Sequence, residues 1–572
     1  MSRKQKPKDK DYTPDRDRGK DDIPKGGKPD NPKDGYKNGS RYRASSRYER
    51  KTDGHANDVS AYKYLSELVE GSSKVTFKLA AGYPLKTQMG QGAETDTFLN
   101  YAVPQIMAID FVPTVGMMQN ENSGANSGAR QIFQFIASKL NKEIVNYAPS
   151  DLLIYLQCVD SIYCLISEIT RMFGVVGIYN SENLIYPRQL LKAMMQAGDD
   201  EIDDFIDNIA NYRTRFNNII TGIASRIFIP QDYQSYGLHT KMLNDYYKDG
   251  SSQKSQLYFF RTSGVYMWDD HTSDQGTAAR WIDKETFNGG LSNWLDMLSD
   301  LSSAIMNSTS FGYIWANMAQ AYSDHSAMGF GLVPVDYART PVEEDSWRLQ
   351  IHNMDIVPLD CFKRISWGSS TSRDLSLTQS VNKNSVIWDP ELVEDVNKDG
   401  TGAIDPKLSA ALAILDGAKL FNDYVVAVDG DDFIEMSRMS VRVVGNLGSR
   451  HLESYGINIP TGLTIYQYNA ETGELFEGAI NSLYWAVDPY GTSLDAVRES
   501  VGLLTAMAMF DWHPIMYLTT RMLGTGDTTS VYPFAELSNY ALVPSDTLFT
   551  LQTNIATSLW ATPLMKIPMI SK

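Results

Sequence analysis

The chain has 572 residues, of which 42% are hydrophobic and 11% aromatic, and it carries a net charge of −17. This length and composition predict a globular protein of two or three lobes with a sizeable core. Three cysteines without a CxxC pair argue against a disulfide framework and a zinc site, and the lack of a sustained apolar run argues against a signal peptide or a membrane span. We therefore expect a protein of a reducing compartment, with no metal, no cofactor and no membrane partner.

The first 53 residues differ in net charge from the rest of the chain. They hold 17 Lys and Arg against 10 Asp and Glu, a net charge of +7, whereas the remaining residues hold 35 against 59, a net charge of −24. The segment contains no Leu, Val, Phe or Trp, so it cannot bury enough apolar surface to offset the entropy of ordering it. We predict a disordered basic arm over residues 1–57, ahead of an acidic globular body.

The cations of this arm are the predicted RNA-binding residues. Guanidinium groups suit phosphate oxygens and tyrosine rings stack on exposed bases, and the two residue types interleave between Ser40 and Lys51. A solvated linker without a partner is the alternative interpretation. The predicted RNA contacts are Arg3, Lys4, Lys6, Lys8, Lys10, Arg41, Arg43, Arg47, Arg50 and Lys51.

The body begins with helical patterns. A helix is predicted from a cap at Ser60 to a stop at Gly71, with Leu65, Leu68 and Val69 on its apolar side. Alternation then predicts a short strand over residues 75–79. The Gly-rich stretch before Arg130 lacks the Lys and Ser or Thr of a phosphate loop, so it indicates the start of a helix.

Four further helices are predicted in the first two thirds of the body. One runs from Pro149 to a stop at Gly174 and is apolar on nearly all sides, which is typical of a helix at the centre of a lobe. One amphipathic helix covers Asp199 to Ile223, and its acidic first turns suit the helix macrodipole and a solvated face better than a metal site. The other two are predicted over residues 291–305 and 311–322.

The last third has a mixed pattern. Residues 365–385 are rich in Ser, Thr and Asn and predict an exposed loop or lobe boundary. A helix after Pro406 is followed by a predicted strand over residues 424–428, and a hairpin is predicted around residues 469–474. A capped helix from Ser493 returns the chain to helical packing.

Gly430-Asp431-Asp432 follows that predicted strand and is the strongest enzyme signal in the chain. Viral RNA polymerases place two carboxylates on such a hairpin to hold two metal ions, which makes a polymerase the alternative function. The accompanying polymerase motifs are absent, and an acidic body is a poor channel for RNA. We favour a simple hairpin turn here and predict no catalytic residues.

Residues Asp395 to Gly400 match the opening of a calcium loop. The twelfth position of such a loop holds a bidentate Glu, and here it holds Pro406. A turn rich in Asp and Asn is therefore the preferred interpretation, and no metal site is predicted.

One stretch carries a family resemblance. It comprises Phe228-Ile229-Pro230, Gly237-Leu238-His239, Tyr246-Tyr247-Lys248-Asp249 and Ser255-Gln256-Leu257-Tyr258-Phe259-Phe260. This stretch resembles the capsid proteins of picobirnaviruses and the related partitiviruses, although Leu238 stands where that family typically has Arg beside the His. The plan of a basic arm ahead of a large helix-rich body is similar as well.

The resemblance implies a mainly α fold with a smaller mixed α/β or β region, as a multi-lobed viral capsid subunit with a shell and a protruding domain. Residues 58–230 and 471–572 would form the helical shell domain, and residues 231–470 the protruding or mixed domain. It further implies a structural protein, not an enzyme, that assembles through dimers into an icosahedral shell around double-stranded RNA. The expected location is the virion, assembled in the host cytoplasm.

The family resemblance also implies self-cleavage of the arm after an Asn, for which Asn57 before Asp58 is the candidate. The alternative is that Asn57 simply lies at the edge of the ordered body. A monomeric adaptor with a nucleic-acid-binding tail is a third possible function for the whole chain.

Overall fold

The computed structural model describes residues 62–75, 84–88, 97–101, 103–116, 118–178, 185–252, 254–272, 276–367, 370–380, 384–424, 427–454, 456–468, 475–480, 484–486, 494–519 and 531–561. The predicted arm, its RNA-binding cations and Asn57 lie outside these residues. So do residues 76–79 of the predicted second element and residues 469–474 of the predicted hairpin turn. All described residues belong to one compact unit that spans Lys51–Lys572.

Within these residues the chain forms fourteen α-helices and two short 3-10 helices, Lys284–Thr286 and Leu359–Cys361. The α-helices are α1 (Ser66–Ser73), α2 (Gly124–Leu140), α3 (Pro149–Val176), α4 (Ile185–Met195), α5 (Asp199–Asp207), α6 (Ile209–Ala224), α7 (Gln234–Asn244), α8 (Leu291–Met306), α9 (Thr309–Ala321), α10 (Asp345–His352), α11 (Pro406–Leu415), α12 (Gly430–Met436), α13 (Leu494–Ala508) and α14 (Ser545–Ala561).

The strands are mostly short. They are β1 (Pro84–Gln88), β2 (Thr97–Tyr101), β3 (Ile106–Pro113), β4 (Tyr247–Lys248), β5 (Leu257–Thr262), β6 (Gly264–Thr272), β7 (Gly276–Asp283), β8 (Arg364–Trp367), β9 (Ser370–Arg373), β10 (Thr378–Gln379), β11 (Val386–Ile387), β12 (Glu391–Leu392), β13 (Lys419–Asp423), β14 (Val441–Asn446), β15 (Ser449–Ser454), β16 (Asn458–Tyr468), β17 (Leu475–Ile480), β18 (Tyr484–Ala486), β19 (Met516–Thr519), β20 (Val531–Phe534) and β21 (Asn539–Val543).

Helix α3 is the centre of the larger core. Pro149 occupies its first turn, where a missing N–H costs nothing, and the Asp151 carboxylate accepts a hydrogen bond from the Ala148 N–H at 2.7 Å. Of its 28 residues, 25 are buried. By length and apolarity α3 could cross a membrane, but its apolar window is entirely enclosed by the rest of the protein. The predicted central core helix is therefore confirmed, and it ends at Val176, two residues beyond the predicted stop.

A five-stranded sheet lies beside α3, in the order β17-β16-β3-β5-β4. The β3 and β5 strands pair in parallel, and the other neighbours are antiparallel. Because side chains alternate across a strand, Ile106 and Ala108 enter the core around α3, whereas Met107 and Ile109 enter a second core on the other face. Both faces of this sheet are covered, so its strands are apolar at consecutive positions.

The helix predicted from Asp199 to Ile223 is interrupted, and this prediction of one continuous helix is wrong. The chain leaves helical geometry at Asn208, which separates α5 from α6. The Asn208 amide donates to the Asp204 carboxylate at 2.8 Å, and the Asn208 carbonyl accepts from the Tyr212 N–H. The Asn208 side chain thus bonds back to α5, while its backbone carbonyl accepts a hydrogen bond from the first turn of α6, and this local arrangement separates the two helices.

The acidic first turns of α5 are partly solvated, as predicted, but they are also paired. Arg188 in α4 forms ion pairs with Asp199 and Asp203, and Lys192 contacts Asp199 at 2.7 Å. These contacts hold α4 against the first turn of α5. Asp199 and Asp203 therefore have cationic partners from within the chain.

The Gly-Asp-Asp segment is a helix start. The strand before it is β13, which ends at Asp423. Tyr424, Ala427 and Val428 are not in a strand, so the strand predicted over residues 424–428 is wrong at these three positions, and residues 425 and 426 lie outside the described residues. The Asp429 carboxylate accepts hydrogen bonds from the Asp431 and Asp432 N–H groups at 2.9 and 3.1 Å, and this cap begins α12 at Gly430. Two predictions for this segment are therefore wrong: the hairpin that a polymerase would need, and the simple hairpin turn that we favoured.

The other predictions for the last third of the chain have mixed outcomes. The Ser- and Thr-rich segment forms an antiparallel pair of β8 and β9, not only a loop, since Thr and Ser can pair across a sheet. The β16 and β17 strands pair as predicted, and helices α11 and α13 are confirmed. In the calcium-like segment Asp395 accepts from the Gly402 N–H at 2.7 Å, which is a turn contact of the expected kind.

Candidate functional site: a buried ionic network and exposed apolar faces

The stretch that carries the family resemblance forms α7 and strand β5, on either side of the chain reversal at β4. Two tyrosines fix α7 against α3. The Tyr155 hydroxyl donates to the Phe228 carbonyl at 3.1 Å, and the Tyr236 hydroxyl donates to the Leu156 carbonyl at 2.6 Å. The residues of this stretch therefore join the central helix to the sheet.

His239 of α7 and Asp160 of α3 form a fully buried pair. The His239 Nδ1 lies 2.8 and 2.9 Å from the two Asp160 oxygens, and its Nε2 lies 3.2 Å from the Ile457 carbonyl oxygen. Both ring nitrogens face oxygen atoms, so with Asp160 ionised both donate and His239 carries a positive charge. Burial lowers the pKa of His239, but the Asp160 charge and the hydrogen bonds outweigh burial and raise the pKa overall.

Cys164 lies one turn from Asp160, and within the described ranges this trio is the one grouping of His, Cys and acidic side chains close enough to share a metal ion. The chemistry does not fit a metal. Burial raises the pKa of the Cys164 thiol, so the sulfur is not a thiolate, and both nitrogens of His239 are occupied by hydrogen bonds. The trio is therefore an ionic contact within the fold.

A second buried ionic cluster connects α3 to the sheet. Glu168 contacts the Lys284 ammonium at 2.9 Å and accepts from the Thr262 N–H at 2.9 Å. Burial would raise the pKa of Glu168, but the charges of Lys284 and Arg171 reverse this and lower it. Arg171 also donates to the Phe260 carbonyl at 2.9 Å. This cluster satisfies charges that a core helix could not otherwise carry.

Arg261 completes the link between strands. Its guanidinium pairs with both oxygens of Asp110 at 2.7 Å and donates to the Tyr466 hydroxyl at 3.0 Å. Burial lowers the pKa of Arg261, but Asp110 raises it overall, so the group stays charged. The Arg261 side chain thereby connects three strands of the sheet, β3, β5 and β16.

These buried charges hold the fold together and offer no exposed nucleophile or base. Sequence reasoning identified His239 only through the resemblance, and it missed Asp160, Glu168, Arg171 and Arg261. A charged residue inside an otherwise apolar helix is the available signal, because such groups are rarely buried unless paired.

Helix α1 presents an apolar face without a partner among the described residues. The side chains of Leu65, Leu68 and Val69 are 49%, 49% and 43% exposed, and α1 has no buried residue. Leu68 and Val69 lie in a helix as predicted, but the predicted start near Ser60 is wrong, because α1 begins at Ser66 and Leu65 is its N-cap residue. The sequence did not predict that these side chains would be exposed within the described part of the chain, which is typical of a surface used for contact with another molecule.

A second exposed apolar face lies on the ribbon formed by β13 and β21, which we call the β13–β21 ribbon. Tyr540 and Leu542 of β21 are two positions apart, so they share one face, and they are 63% and 67% exposed. Among the described strands, β21 pairs with β13 alone, in a two-stranded sheet.

Buried ion pairs that hold the core together and exposed apolar side chains on α1 and β21 are features of a subunit built for contacts between chains. The family model for the picobirnavirus capsid protein matches residues 61–445. The chain therefore belongs to the picobirnavirus capsid protein family.

Two relatives extend the match over most of the chain. It is similar to a capsid protein precursor of human picobirnavirus (strain Human/Thailand/Hy005102/-), with 22% identity over 521 residues that cover 89% of this chain and 91% of that protein. It is also similar to the X-ray crystallographic structure of the picobirnavirus capsid, with a TM-score of 0.68 and 18% identity over 88% of this chain and 98% of that one. The predicted capsid family and its mainly α fold with a mixed region are confirmed, and the protein is a structural component of the virion.

Proposed function

We propose that this capsid protein assembles through dimers into a closed icosahedral shell that encloses double-stranded RNA, with the basic arm contacting the RNA. Assembly in the host cytoplasm belongs to the same proposal. The main support is the pair of uncovered apolar faces on α1 and the β13–β21 ribbon, since stable subunit contacts bury about 800 Å² per partner and have an apolar centre. The body has a net charge of −24 and the arm a net charge of +7, so we assign the contact with RNA to the arm.

The proposed domains keep the predicted bounds, with shell segments at 58–230 and 471–572 and a protruding segment at 231–470. The five-stranded sheet takes β3 from the segment 58–230, β4, β5 and β16 from the segment 231–470, and β17 from the segment 471–572. The three segments therefore share one core, and any relative motion between the domains would have to occur outside this sheet. Cleavage of the arm after Asn57 remains part of the proposal.

The role of the α1 face is tested by placing a charge on it. Leu68→Glu is expected to reduce the yield of closed particles while leaving the subunit folded, because Leu68 is 49% exposed and α1 has no buried residue. Val145→Glu is the control, because Val145 is 78% exposed in the loop between α2 and α3 and belongs to neither face. Particle yield is measured by electron microscopy and folding by circular dichroism. Equal particle yields for Leu68→Glu and the unaltered protein would count against this face.

The role of the arm is tested by deleting residues 1–53. Particles are expected to form, but their RNA content, measured from the ratio of absorbance at 260 and 280 nm, should fall. A matched control replaces the arm by a neutral Gly/Ser segment of equal length, which separates charge from length. Unchanged RNA content in both variants would refute RNA contact by the arm.

A further inference from the structure

A cavity of about 370 Å³ lies between α7, α14 and the segments that flank β16 and α12. Its size falls within the range of about 300–1,000 Å³ that small-molecule sites occupy in proteins. Most of its wall is apolar. The apolar lining side chains are Tyr233, Leu238, Trp347, Ile457, Ile555 and Leu559.

Among the described residues that line this cavity, Arg438 is the one with a charged side chain. It is partly buried, and within the described ranges its guanidinium has no side-chain hydrogen bond and no carboxylate within ion-pair distance. Burial lowers the pKa of Arg438, and the more distant charge of Glu435 opposes this only in part. A guanidinium has five N–H donors, and desolvating it without an anionic partner is costly. The cavity thus offers a cation whose partner the described chain does not supply.

Gln552 of α14 lines the same wall. Its amide nitrogen donates to the Ser437 carbonyl, which connects α14 to the segment that carries Arg438. A mostly apolar cavity with one cation that no side chain of the described residues pairs is complementary to a ligand with an apolar body and an anionic head group.

We propose that this cavity binds a medium-chain fatty acid, with its carboxylate paired to Arg438 and its aliphatic chain packed against the walls supplied by α7 and α14. The volume excludes a folded partner, and charge complementarity selects an anion over a cation or a neutral alcohol. Because residues of both α7 and α14 line the cavity, a bound ligand would contact both helices and help to hold α14 against α7. Occupancy should therefore raise the thermal stability of the chain.

Decanoate, used below its micelle concentration, is the probe for titration of the full-length, delipidated protein. Binding is followed by calorimetry and by the fluorescence of Trp347, which lines the cavity. Decanoate is expected to bind and to raise the melting temperature, with decan-1-ol at least about tenfold weaker because a charge-assisted hydrogen bond is worth about 1.5–3 kcal/mol. Equal affinity for decanoate and decan-1-ol, or no binding of either, would overturn the proposal. Decyl sulfate distinguishes a carboxylate site from a general anion site, and tighter binding of the sulfate would overturn the fatty-acid assignment.

Two variants locate the site. Arg438→Gln is expected to weaken decanoate binding about tenfold, with Arg226→Gln at an exposed position as its control. Gly237→Leu is expected to abolish binding, because Gly237 lines the cavity and a Cβ there meets no atom within 4 Å, so the new side chain can occupy the ligand's space. Gly312→Leu is the matched control, since it is also a helical glycine with open space and lies outside this cavity.

Circular dichroism confirms that each variant is folded before its affinity is compared. Retained affinity in both Arg438→Gln and Gly237→Leu would refute this site, whatever the outcome for shell assembly. Displacement of decanoate by a peptide of residues 562–572, with higher affinity than the fatty acid, would instead assign the cavity to a segment of the chain and overturn the proposal.

Discussion

Replacing Asp160 by Asn should remove a pH-dependent part of the stability of this protein. Asp160 and His239 are fully buried and joined at 2.8 Å, and the carboxylate holds the pKa of His239 above its usual value of 6.5. A group whose pKa is raised on folding contributes stability that is complete below its unfolded pKa. That stability is lost as the pH rises through the raised pKa of the folded state.

The expected loss in the free energy of unfolding follows from the burial of the Asp160–His239 pair. Removing one partner of a buried ion pair costs about 3–5 kcal/mol, which is a large part of the total stability of about 5–15 kcal/mol expected for a folded domain. Loss of one bound proton gives a slope of at most about 1.4 kcal/mol per pH unit. Asp160→Asn should therefore be destabilised most at pH 6, and the difference from the unaltered protein should shrink toward pH 9.

Urea unfolding of the unassembled full-length chain between pH 6 and pH 9 measures this difference. The control is Asp232→Asn, which removes the carboxylate that pairs with His325 at a largely exposed site, and a change of at most about 1 kcal/mol is expected there. A constant difference between Asp160→Asn and the unaltered protein across this pH range would refute a protonated His239.

Two smaller perturbations test local packing and capping. Gly128→Ala would place its Cβ 2.5 Å from the indole of Trp560, so a loss of about 1–3 kcal/mol in the free energy of unfolding is expected. The control is Gly312→Ala, which should be neutral or stabilising because a Cβ there meets nothing within 4 Å. Equal stabilities would contradict the tight contact between α2 and α14. Asp429→Ala should cost about 1 kcal/mol through the lost cap of α12, whereas Asp431→Ala, which removes no capping side chain, should cost less. Equal losses would argue against this cap, and urea unfolding measures all four variants.

The elements that the sequence predicted well are those decided by long apolar periodicity. Helix α3 is apolar on nearly all sides over about seven turns, so few alternatives compete with a buried core helix. Helices α8 and α9 are amphipathic over several turns and are likewise predicted within a few residues of their ends.

The wrong predictions lie where short polar side chains decide the local backbone. At Asn208 a single amide interrupts an otherwise continuous apolar stripe, and at Asp429 a carboxylate begins a helix where the Asp-Gly pattern indicated a turn. Ser and Thr in β8 and β9 indicated a loop because their cross-strand partners are not visible in local composition.

The candidate site could be predicted only in part. Asp160 lies 79 residues from His239, and no local pattern reveals that α3 and α7 bring the two together. The apolar stripe of α1 was visible in the sequence, but whether a stripe faces its own core or another chain depends on tertiary packing. Burial in the folded subunit had to be known before these side chains could be assigned to assembly.

The central claim is self-association of the acidic body through its uncovered apolar faces into a closed shell. Sedimentation velocity combined with electron microscopy of the purified full-length protein, across a range of concentration and salt, tests it most directly. The account predicts a dimer at low concentration and a uniform population of closed particles above a threshold. A single monomeric species under every condition, with the subunit shown to be folded, would contradict it.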